Sequence, residues 1–471
     1  MTPAIFTTTI APAQPTSRRA LARVEFGALV ALAAPLVSAN LLQMAVYAVD
    51  TIFVARLGTV EFAAATLGVF LFSLMMWSLV SMVSAGAPII AAELGRRAHA
   101  VREVRRTFRM AMWLSVFVTL PALALLLHGE TVLRFAGQDP VVARRAGAFL
   151  DIVAFALIPG ILAGAMRSTA AALGRPGWTL IVTALALALA IATNWLFVFG
   201  HWGFPAMGLE GSALSSLVTM TAMALAYAAI LAFDRKLRRY RLFGRWWRPE
   251  WPRMRRILTV GLPIAFAVTF EGGLFGGAGL LMGLIGVEAV AAHAVALNIA
   301  SIAFQIPYGI AQAATIRVGL AYGAGDRAWI GRAGWVAIAS GTAAMAFTAS
   351  LMLIAPRLFV GIYLDVDAAA NAVVVALAVR YLAVGAAFQL FDGAQAVAAG
   401  ALRGLQDTRV PMVVALFGYW GVGLGSAVFF AFQLGMAGVG VWIGLALGLA
   451  AVTAMLVSRW RAREPLGLVG A

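Results

Sequence analysis

The strongest constraint in this sequence is a recurrence of apolar stretches, each about 20 residues or longer, separated by short polar or basic segments. A stretch of that length crosses the hydrocarbon of a bilayer as a helix, because a helix satisfies its own backbone polar groups. Twelve can be read, at about 26–54, 62–94, 108–128, 146–172, 178–200 and 208–233, then at about 257–284, 289–321, 333–355, 371–402, 410–432 and 435–458. Only 11% of residues are charged, against about a quarter in a soluble domain. The expected fold is an all-α polytopic membrane protein. Prolines within the stretches (Pro35, Pro121, Pro159, Pro263, Pro307) fit, since neighbouring membrane helices can satisfy the backbone groups they free.

Charge sets the orientation. Of 35 Lys and Arg, 29 fall on alternate segments, five lie on the opposite side (Arg56, Arg134, Arg144, Arg145, Arg357), and Arg380 is inside a stretch. The positive-inside rule then places both termini and the loop 234–256 in the cytoplasm. That loop, DRKLRRYRLFGRWWRPEWPRMRR, interleaves Arg with Trp246, Trp247 and Trp251. Such alternation can bind single-stranded nucleic acid, but between two membrane spans it reads as an anchor against anionic lipid. No nucleic-acid partner is expected. The first sixteen residues are Thr/Pro/Ala-rich and read as a disordered tail. Arg18-Arg19 reads as a juxtamembrane anchor, not a twin-arginine signal.

The chain carries an internal repeat. A shift of 228 residues aligns Pro35 with Pro263, Gly58 with Gly286, Ala64 with Ala292, Ser73 with Ser301 and Gly95 with Gly323. GLEGSA at 208–213 likewise resembles GMAGVG at 435–440. Six spans per copy keep the same topology, so the copies are expected as two pseudo-symmetric six-helix bundles. The expected division is a tail and juxtamembrane segment 1–25, an amino-terminal lobe 26–233, the basic loop 234–256, a carboxy-terminal lobe 257–460 and a tail 461–471.

Cysteine is absent, which excludes disulfides, thiolate chemistry and Cys-ligated metals. The chain has neither a phosphate-binding Walker A sequence nor a nucleophile constellation. It is therefore expected to be no enzyme, to need no cofactor, and to draw energy from an ion gradient or the membrane potential.

Three acids stand inside apolar sequence: Asp50, Glu271 and Asp392. A carboxylate at a helix centre costs about 2.5–3.5 kcal/mol on insertion scales, so such residues face a cavity or a partner. Arg380, the arginine within a span, is over three turns from Asp392 and a poor partner. The three are left available to protons or cations. Gln43, Tyr47 and Asp50 form one polar stripe, and Asn298, Ser301 and Gln305 begin another that runs on to Tyr308 and Gln312. Such stripes also glue helices together. Met44, Phe275 and Phe388 are candidate substrate contacts, since Met and aromatic surfaces adapt to varied ligands. His293 reads as a packed or cavity-lining residue, and Asp151 as a loop-edge charge.

Four segments carry a family likeness: VDTIFVARLG (49–58), GLPIAFAVTFEGGLF (261–275), AAHAVALNIASIAFQIPYGIAQAATIRVGLAYGAGD (291–326) and GALRGLQDTRVPM (400–412). In this order, over roughly residues 25–460, the chain resembles the multidrug and toxic compound extrusion (MATE) family, in its NorM-like branch. The resemblance implies a V-shaped pair of six-helix lobes in a bacterial inner membrane. It implies export of small organic cations in exchange for Na⁺ or H⁺, by a protein expected to be a monomer in the bilayer. Asp50 matches the family's first-helix aspartate, while Glu271 and Asp392 match the seventh-helix glutamate and tenth-helix aspartate associated with cation coupling, where Na⁺ would bind. Asn194, in TNWLFVFG, matches the second asparagine of a fifth-helix pair. Ala190 and Phe388 depart from the family pattern at neighbouring positions. The alternative within the same superfamily is a lipid-linked oligosaccharide flippase, which would prefer a basic cavity.

Overall fold

The computed structural model describes residues 17–97, 100–244 and 246–469; the tail 1–16 lies outside the described residues. Among the described residues, twelve helices are long and apolar enough to cross a membrane. They are α1 (Arg19–Ala55), α2 (Thr59–Arg96), α3 (Val101–Leu127), α4 (Pro140–Ala172), α5 (Gly177–Phe199), α6 (Gly208–Phe233), α7 (Trp251–Ile285), α8 (Val287–Ala324), α9 (Arg327–Ile354), α10 (Ala369–Gly404), α11 (Arg409–Gln433) and α12 (Ala437–Arg461). Their order matches the twelve stretches of the sequence. Leu185, Leu225, Leu280 and Phe347 stand exposed on them, as side chains facing lipid do.

Local chemistry sets the ends. α4 begins about six residues earlier than hydropathy suggests, because Asp139 caps it, accepting from the N–H groups of Val141 (2.8 Å) and Val142 (3.2 Å) ahead of Pro140 at N1. Asp151, expected at a loop edge, therefore lies well inside α4. The corners α1–α2 and α7–α8 turn at Gly58 (φ 119°) and Gly286 (φ 155°), values that favour glycine at repeat-equivalent positions.

Packing gathers the described residues within 38–265 into one compact bundle and those within 266–469, with 17–37, into another. The cuts fall inside α1 and α7, at positions again 228 residues apart, and not in the loop 234–256. Contacts within each bundle explain this. Ile257, Val260 and Ile264 of α7 are buried with Ala85 and Ile89 of α2 and with Met110, Ala111 and Leu114 of α3. Gly261 faces the Met82 carbonyl so closely that a Cβ would collide with it. In the second bundle, Glu25 of α1 accepts from Arg317 of α8 at 2.8 and 2.7 Å and from the Trp329 indole of α9 at 3.0 Å. Gly309 lets the backbone of Val37 approach: a Cβ there would lie 2.9 Å from the Val37 nitrogen.

Candidate functional site

The first bundle builds a polar site around Asp50 near the end of α1. Asn194 of α5 donates from Nδ2 to Asp50 Oδ1 at 2.6 Å, and Ser216 of α6 donates to Oδ2 at 3.1 Å. The same Asn194 nitrogen donates to the Ala190 carbonyl and to Ser215 Oγ, both at 2.9 Å, while Thr193 and Ser215 share a 2.6 Å hydroxyl contact. Asn194 is fully buried, so its amide is held from three sides. Asp50 and Asn194 were legible in the sequence. Ser215, Ser216 and Thr193 were missed, although a Ser-Ser pair in a membrane helix and a Thr beside the asparagine were signals.

The second bundle brings Glu271 and Asp392 to one amide. Gln395 Nε2 lies 3.3 Å from Glu271 Oε1 and 3.3 Å from Asp392 Oδ1, and Tyr419 donates to Gln395 Oε1 at 3.0 Å. Tyr419 arrives by unusual winding: residues Phe417–Leu424 of α11 form a π-helix. Such wide turns recur at functional sites because they rotate a side chain off the ordinary helical face. The adjacent Trp420 donates to the Phe270 carbonyl at 3.2 Å, fastening this turn to α7 one residue before Glu271. Gln395 and Tyr419 were missed from the sequence.

Asn298, Ser301 and Gln305 donate back along α8, to the carbonyls of Ala294 (2.8 Å), Leu297 (2.7 Å) and Ser301 (3.1 Å). Gln43 is the repeat equivalent of Glu271, and its Nε2 is buried without a hydrogen-bond partner among the described residues. Tyr47 accepts from Thr51 through its carbonyl at 3.0 Å. Phe275 and Phe388 meet edge to face with centroids 6.1 Å apart, and Phe388, 1% exposed, also packs on Trp442. Met44 is half-buried. His293 is buried with its ring edge-on to Trp442 at 5.6 Å, the packed arrangement expected of it.

Among the described residues, no three His, Cys, Asp or Glu side chains converge on one point. The two centres are a single carboxylate and a carboxylate pair, each held by an amide.

The MatE family model matches residues 35–196 and 263–429, beginning at the two repeat-equivalent prolines. The "Probable multidrug resistance protein NorM" of Mesorhizobium japonicum is 47% identical over 442 residues, covering 94% of this chain and 95% of that protein. The protein of that name from Brucella suis biovar 1 is 46% identical, covering 91% of each. Among solved structures, the eukaryotic MATE transporter AtDTX14 superposes with a TM-score of 0.83 at 20% identity, covering 95% of this chain and all of that one. An outward-facing MATE multidrug resistance transporter gives 0.85 at 18% identity, covering 98% and 100%. With two copies of the family's domain and relatives alike over nearly their whole length, the chain belongs to the MatE family, whose members are membrane transporters and not enzymes.

Proposed function

We propose that this protein is a secondary multidrug efflux antiporter, exporting organic cationic or amphipathic compounds in exchange for Na⁺ or H⁺ by alternating access. The observation that carries this reading is the Gln395 amide shared by Glu271 and Asp392. Two acids around one neutral donor form a site whose charge changes when a cation enters. Asp50, held by Asn194 and Ser216, is a second such site in the other bundle. A proton would neutralise one carboxylate. A Na⁺ would take the carboxylate oxygens of Glu271 and Asp392, with Gln395 offering its amide oxygen after turning over.

Coupling needs a difference in affinity between inward-open and outward-open states. Neutralising a carboxylate supplies it, because an organic cation held against a negative site loses that attraction. Met44 and Phe275, both partly accessible, suit substrate contact better than the enclosed Phe388. The relatives' names support drugs as cargo. The charges at both centres are acidic, which suits organic cations better than the pyrophosphate of a lipid-linked sugar. In this reading the protein works as a monomer in a bacterial inner membrane, with both termini and the loop 234–256 cytoplasmic.

The test is efflux of a fluorescent cation from everted vesicles, driven separately by a Na⁺ gradient and by a pH gradient. One gradient is expected to drive wild-type efflux, and Asp50→Asn, Glu271→Gln and Asp392→Asn are each expected to impair it at equal expression. Wild-type rates from all three would overturn the assignment.

A further inference from the structure

We infer that residues 235–244 and 246–248, with their flanking aromatics, form a docking surface for the anionic phospholipid headgroups of the adjoining leaflet. The segment joins α6 to α7, so both its ends lie where membrane spans stop. Phe233, 82% exposed, ends α6, and the exposed Trp251 begins α7.

The segment is fixed in place. Leu237, Tyr240 and Leu242 are buried; Arg105 donates to the Tyr240 carbonyl at 2.8 Å, and Trp113 donates to that of Trp246 at 3.2 Å. Its two bounding acids are consumed internally: Asp234 by Arg175 at 2.5 Å, and Glu250 by Arg106 at 2.5 Å and by Arg109. Arg235, Lys236, Arg238, Arg241 and Arg248 are exposed and enter no ion pair among the described residues. Between these cations stand Phe243 and Trp247, the latter 76% exposed. Uncompensated cations beside exposed aromatics complement a surface that is anionic at the headgroups and apolar just beneath. A nucleic acid in solution would match the cations but would leave the membrane-end position of Phe233 and Trp251 unexplained.

The test uses the full-length protein in detergent, titrated with phosphatidylglycerol or phosphatidylcholine, with bound lipid counted by native mass spectrometry. Wild-type protein is expected to prefer phosphatidylglycerol by about tenfold or more. The variant Arg235→Gln, Lys236→Gln, Arg238→Gln, Arg241→Gln, Arg248→Gln is expected to lose that preference. A control variant, Arg56→Gln, Arg144→Gln, Arg357→Gln, removes cations from the opposite ends of the spans and is expected to keep it. Equal preference in wild type and the five-site variant overturns the inference. So does loss of lipid selectivity in the control, or displacement of bound lipid by inorganic phosphate or a short RNA. Should the five-site variant fail to fold, salt decides on unmodified protein: the preference is expected to collapse between about 50 and 500 mM NaCl. A salt-independent preference overturns the inference.

Discussion

Asn194 and Asp50 join α5 to α1 by a 2.6 Å hydrogen bond in which the amide nitrogen serves the carboxylate and two other acceptors at once. Truncation removes a donor to a charged group, an interaction worth about 1.5–3 kcal/mol. Asn194→Ala is therefore expected to lower efflux by about tenfold at unchanged membrane expression. Unaltered efflux would show that Asn194 does not position Asp50.

Gln395 and Tyr419 are expected to rank unequally. Gln395→Ala removes the amide that both carboxylates share, whereas Tyr419→Phe removes one neutral hydrogen bond worth about 0.5–1.5 kcal/mol. Efflux assayed side by side is expected to be nearly abolished in the first and reduced several-fold in the second. Equal damage from both would count against Gln395 as the organiser of the pair.

The Glu25–Arg317 pair is buried on both sides. Removing one partner of such a pair costs about 3–5 kcal/mol, because the other charge stays behind in low dielectric. Arg317→Met alone is thus expected to lower the thermal midpoint in detergent sharply. Adding Glu25→Leu should recover most of the loss, and failure of the double variant to recover would point to a cost in packing instead.

Asp234 provides a pH test outside the spans. Burial pushes its carboxyl pKa up, but hydrogen bonds from Arg175, Trp178 and the Lys236 N–H outweigh burial and leave it below the usual 3.8. A depressed folded-state pKa stabilises the fold fully above the unfolded value and loses that contribution as pH falls through the folded one. The gap in thermal midpoint between wild type and Asp234→Asn is expected to hold from neutral pH to about pH 4, then to close. A gap that widens on acidification would reverse the sign.

The twelve spans were legible because hydropathy is a local property that needs no knowledge of neighbours. Asp50, Glu271 and Asp392 were legible for a related reason: a carboxylate in an apolar run is costly wherever it points. What joins them depends on which helix faces which. Gln395 follows Asp392 by one turn, yet a glutamine in a membrane helix reads equally well as helix glue. Tyr419 was hidden further, since ordinary helical periodicity misplaces a side chain carried on a π-helical turn. Asn298, Ser301 and Gln305 show the converse, three polar side chains that each donate a hydrogen bond back along their own helix. The division of α1 and α7 between bundles rests on Gly261, Gly309 and the Glu25–Arg317 pair, all long-range contacts.

Pro35 and Pro263 are equivalent landmarks, but Asp50 lies 15 residues beyond the first and Glu271 only 8 beyond the second. At about 1.5 Å per residue these are helical distances of about 22 and 12 Å. Membrane voltage falls along that direction, and one elementary charge crossing a full 100 mV exchanges about 2.3 kcal/mol. On the proposed exchange the two repeats thus carry their carboxylates at unequal distances along their own helices, and silencing each in turn is expected to change the voltage dependence of transport by different amounts.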